Sequence, residues 1–190
     1  MVPVIIRSGL ITLALMCFAI PPAFATQVLR TSLEQMTHGS EVIIHARVVS
    51  QKVTLSDNGA RILTLTTLEV LNTLKGKGVP QEVVVYQVGG ELNGQVLRIP
   101  GALSFQIEEE IVFFAARFKN MLVSYGMGLG KYQVKRGGGK ISVTPQFGDV
   151  SFVARDAGGH LQPAAAPTTN AVDLGHFLTQ VNTILKGGKR

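Results

Sequence analysis

The chain has 190 residues, 46% of them hydrophobic and only 16% charged, with a net charge of +6, 21 glycines and a single cysteine. That balance excludes a chain that is disordered throughout, and no run of about 18 or more apolar residues marks a lasting membrane span. The length suits one packed domain better than two.

Residues 1–25 carry one cation, Arg7, then an apolar run from Leu10 to Ile20, then Pro21-Pro22-Ala23-Phe24-Ala25 with small residues at cleavage spacing. This is the pattern of a secretory signal peptide, with cleavage expected after Ala25. The apolar run would make about 16 Å of helix against about 30 Å of hydrocarbon, too short for an anchor. Cys17 lies inside it and is preceded by Met16, where a lipid-attachment box needs a small residue, so the processed chain would hold no cysteine and no disulfide. A cysteine-free exported domain of this size fits a bacterial periplasmic or secreted protein.

The expected β domain runs from 26 to 155. Thr31 to Thr37 reads as a short helix, with Thr31 able to cap it and Glu34 three residues on. Glu41 to Val53 reads as a strand with Val42, Ile44, Ala46 and Val48 on a core face and His45, Arg47 and Gln51 on a wet one. After a turn at Ser56–Gly59, Arg61 to Leu71 alternates through Leu63 and Leu65 and then changes phase to Leu68 and Val70, which places a β-bulge at Thr66-Thr67. Lys75 to Pro80 reads as a solvated turn, Glu82 to Val88 as a short strand stopped by Gly89-Gly90, and Gln95 to Ile99 as another. Glu108-Glu109-Glu110, read as a solvated turn, introduces Ile111 to Ala116, which should be a central buried strand.

Lys119-Asn120 makes a hairpin into Met121 to Tyr125, and strands follow at Lys131 to Lys135 and Lys140 to Val143. Residues 156–170, rich in Gly, Ala, Pro and Thr, have the character of a linker. Residues 171–186 should form an amphipathic helix capped by Asn170, with Asp173 in its first turn and a stripe of Leu174, Phe177, Leu178, Val181, Ile184 and Leu185.

Three stretches carry a resemblance: Glu41-Val-Ile-Ile-His-Ala-Arg-Val-Val-Ser50, Leu65-Thr-Thr-Leu-Glu-Val-Leu-Asn-Thr-Leu-Lys-Gly76, and Phe105 to Phe114 with acidic residues before the apolar strand. Over roughly residues 31 to 136 the chain resembles the netrin-like module, the OB-type barrel of the tissue inhibitors of metalloproteinases. The resemblance implies a small antiparallel OB-like barrel, so the expected fold is mainly β, that barrel with the short helix read before it and the amphipathic helix read after it. It also implies protein binding. Those inhibitors reach the protease zinc through an amino-terminal cysteine, whereas the expected end here is Thr26-Gln27, so no residue role is carried over.

His38, His45, His160 and His176 fall on different elements without metal-ligand spacing, so no metal and no cofactor is expected. Gly126-x-Gly128-x-Gly130-Lys131 lacks the spacing of a phosphate loop and precedes a strand rather than a helix. It reads instead as a bend where glycine takes positive φ or lets another segment approach. No nucleophile elbow and no paired carboxylates are present, and no catalytic residue is assigned.

The candidate binding surface is basic and aromatic: Arg117, Lys119, Tyr125, Lys131, Tyr132, Lys135 and Arg136, with Lys140 nearby. The expectation is an exported, non-catalytic module engaging an extracytoplasmic protein, conceivably a protease. The alternative is an envelope-associated domain binding anionic glycan or lipid through that basic face, with nucleic acid disfavoured by export.

Overall fold

The computed structural model describes residues 26–187, so the expected signal peptide and Cys17 lie outside the described residues. The chain is mainly β, as expected. In order it forms β1 (Thr26–Leu29), α1 (Leu33–Gly39), β2 (Val42–Leu55), β3 (Ile62–Lys75), β4 (Glu82–Val88), β5 (Gly90–Leu92), β6 (Gln95–Leu97), β7 (Glu110–Phe118) and β8 (Met121–Ser124). There follow β9 (Lys131–Gly137), β10 (Lys140–Gln146), β11 (Val150–Arg155), β12 (Leu161–Pro163), β13 (Val172–Asp173) and α2 (Leu174–Gly187). The largest sheet runs β13-β10-β9-β7-β2-β3-β4-β8, and β7 also pairs β8, so the pairings β7-β2-β3-β4-β8 return to β7. The contact of β4 with β8 is parallel, Val85 opposite Leu122. A second sheet holds β1, β11 and β12, with β1 parallel to β11, and β5 and β6 make a separate hairpin.

Strand alternation divides the apolar side chains between two cores that share β2 and β7. Ile44, Val48, Leu68, Val85, Ile111 and Phe113 fill one. Ile43, Val112, Phe114, Val143, Phe177 and Val181 fill the other, beneath α1 and α2. The run Ile111 to Ala115 is wholly buried between β2 and β9, as its unbroken apolar character predicts. Because β2 is covered on both faces over its first half, the predicted wet face is wrong there. Ile43 lies on it fully buried, and the His45 side chain is only 12% exposed.

Other corrections have local causes. The α1 cap is Ser32, not Thr31: its Oγ accepts from Gln35 N at 3.1 Å while Gln35 Oε1 accepts from Ser32 N at 2.9 Å, a complete capping box one residue later than predicted. The α2 cap is Asp173, whose Oδ1 accepts from His176 N, rather than Asn170. No bulge sits at Thr66-Thr67, since β3 pairs β4 without a break from Leu63 to Glu69. The register shifts in the β2–β3 pair instead, between Val48 and Ser50 and again near Ile43 and His45. Thr66 is itself buried in phase with Leu68 and receives a hydrogen bond from Gln51 Nε2, so a polar residue on the core face imitated a slip.

Lys75 is no part of a solvated turn. Its Nζ donates to the Thr37 and His38 carbonyl oxygens at 2.8 and 2.9 Å, closing the carboxyl end of α1, and burial lowers its pKa. Residues 156–170 are not all linker, because Leu161–Pro163 pairs with β11. The helix α2 follows its predicted stripe, with Leu174, Phe177 and Val181 buried against this chain's own second core.

Candidate functional site

The segment Gly126 to Gly130 joins β8 to β9 and is held by glycine geometry. Gly126 and Met127 both take left-handed conformations, with φ of 63° and 62°. A Cβ on Gly128 would fall on the Gly101 carbonyl oxygen, and one on Gly130 on the Phe114 carbonyl oxygen, so the loop is seated by backbone packed on backbone. The expectation for this motif therefore holds. One consequence is that Met127, a residue for which positive φ is strained, stands 53% exposed.

Beside it are Leu29, 47% exposed at the end of β1, and Tyr125, whose hydroxyl end lies where a side chain on Gly39 of α1 would have to go. Hollows of about 510 and 370 Å³ lie around Tyr125, each lined in part by Leu29 and Thr31. Leu29 and Met127 were not singled out from sequence. A bulky apolar residue between glycines was the available signal for Met127, and Leu29 gave none.

The seven predicted surface residues do not come together. Register puts Glu110 opposite Val134 and Arg117 opposite Leu122, so the Arg117 and Lys119 end of β7 is about 23 Å along the strand from the end near Lys135 and Arg136. Arg117 Nη2 donates to the Lys77 carbonyl oxygen at 2.7 Å, and Lys119 Nζ stands 5.9 Å from the Phe118 ring centre. Lys135 is exposed. Tyr132 is half-buried beside Phe114 and Phe177, and burial raises its phenol pKa.

Lys131 and Arg136 belong to ion pairs around the glutamates predicted to be solvated. Lys131, 4% exposed, lies 2.7 Å from Glu109 Oε1, donates to the Ser104 carbonyl oxygen at 2.5 Å and sits over the Phe105 ring. It is an interior cation and presents nothing to a ligand. Arg136 grips Glu110 with two hydrogen bonds of 2.8 and 2.7 Å, and His45 Nε2 approaches Glu110 Oε1 at 2.6 Å. The Arg136 hydrogen bond, then that of His45, holds the Glu110 carboxyl below its ordinary pKa against the opposing effect of burial.

Among the described residues no group of three or more His, Cys, Asp or Glu side chains stands together, and no helix is long and apolar enough to cross a membrane. No protein-family model, curated protein or solved structure matches the chain.

Proposed function

We propose that this chain is an exported, non-catalytic binding module whose OB-type barrel engages an extracytoplasmic protein through the Leu29, Tyr125 and Met127 surface. The barrel reading is supported by the cycle of pairings from β7 through β2, β3, β4 and β8 back to β7, with the one parallel contact between β4 and β8. Export rests on the three-part pattern of residues 1–25.

The observation that carries the reading is Met127. A strained conformation persists only where the surroundings enforce it, and here two glycines enforce it to hold an apolar side chain out in water beside Leu29. Exposed methionine beside an aromatic ring suits an adaptable protein contact.

The test compares the purified protein with the double variant Leu29→Ser, Met127→Ser as bait in envelope and secreted extracts. The expected result is one protein kept through high salt by the parent and lost by the variant, with both baits equally stable to urea. Equal recovery by both baits overturns the assignment. Recovery only of anionic material that salt removes would instead favour the exposed cations Lys135 and Lys140 as the binding face.

A further inference from the structure

A half-open cavity of about 520 Å³ lies between α1, α2 and the β9–β10 hairpin, a volume within the range of about 300–1,000 Å³ that small-molecule sites span. Val143 and Pro145, alternate residues of β10, line it together with Tyr132, which stands opposite Pro145 on β9. Leu33 and Phe147 add to the apolar lining, and the buried Met36 of α1 and Phe177 of α2 back it, the Phe177 ring centre 4.9 Å from that of Tyr132. The segment between β12 and β13 crosses the same space with Pro167 and Thr168.

Charge in this cavity has one sign. Of 17 lining residues Arg30 is the only charged one, it is exposed, and among the described residues its guanidinium has no carboxylate partner. One guanidinium balances one negative charge and its planar fork matches a carboxylate, whereas a phosphate dianion would leave charge uncompensated. The half-buried Leu33, Pro145 and Phe147 and the flat ring of Tyr132 suit a narrow apolar chain, and a two-chained phospholipid is too large for the space. The Tyr132 phenol, like any phenol, is protonated at neutral pH, and burial raises its pKa further, so it acts as a neutral hydroxyl.

We propose that this cavity binds a single-chain alkyl carboxylate, the chain lying against Leu33, Tyr132, Pro145 and Phe147 and the carboxylate on Arg30. The proposal does not rest on the protein-binding surface around Tyr125, which the cavity adjoins at Thr31, Gln35 and Leu129.

Calorimetric titration of the purified protein with decanoate tests it, with decyltrimethylammonium as the control of equal chain and opposite charge. Decanoate should bind saturably at one site and the cation should not. Arg30→Gln should weaken decanoate about tenfold or more, the loss of one charge-assisted contact. Gln180→Trp, which places a ring in the cavity from the exposed side of α2, should abolish binding. Unfolding midpoints matching the parent show that both variants are folded. No saturable binding, equal binding of the cation, or an affinity unchanged in both variants overturns the proposal. So does tighter binding of an apolar peptide with a free carboxyl end, which would make the occupant a polypeptide.

Discussion

Met127 shows how a single residue can carry a cost that packing alone does not explain. Its φ of 62° is the territory of glycine, and its side chain is more than half exposed, so little burial offsets the strain. Met127→Gly should therefore raise the stability of the fold by about 1 kcal/mol, read as a higher urea midpoint with an unchanged slope. A lower midpoint would mean that the side chain is needed by the fold and is not displayed for a partner. Glycine spacing made the bend readable from sequence, but not which side chain the bend exhibits, because that depends on where Gly101 and Phe114 approach.

Among the elements, the start of β7 is where charge and strand pairing meet. Glu109, just before the strand, and Glu110, its first residue, find different partners: Lys131 for one, His45 and Arg136 for the other. Because the folded Glu110 pKa lies below the ordinary value of 4.5, its contribution is whole above that pH and is lost as pH falls through the folded value. Urea midpoints between pH 7 and pH 2 should fall on the acid side, and Glu110→Gln should flatten that limb while lowering the neutral plateau. An acid limb identical in the variant would show that other carboxylates govern it.

The apolar elements were legible in sequence because they need only a local pattern: Ile111 to Ala116 by its continuity, α2 by its stripe. The ion pairs were not. His45 and Arg136 stand 65 and 26 residues from Glu110, and only the register of three strands brings them together. The strands β1, β11 and β12 went unread because they are short and lie among glycine, proline and alanine, where three to six residues set no period.

For the molecule as a whole, the shared wall of β2 and β7 decides how it comes apart. Residues alternate along both strands between the core of Phe113 and that of Phe177, so neither core can be lost while the other keeps its backing. Phe113→Ala and Phe177→Ala should each cost about 3 to 5 kcal/mol and each leave a single unfolding transition. Two separated transitions in either variant would mean that α2 and its core unfold alone.

The parallel pairing of β1 with β11 also sets an order in time. Thr26 to Leu29 is the first of the described strands to be made, yet its partners, Val150 to Val153, follow more than 120 residues later. Until then Val28 has no place in the second core and the strand has no neighbour for its backbone. Four residues make a poor template for a stray strand, and that brevity lets this strand wait without recruiting other chains. The amino-terminal strand is thus a late latch, fastened only when the chain is nearly complete.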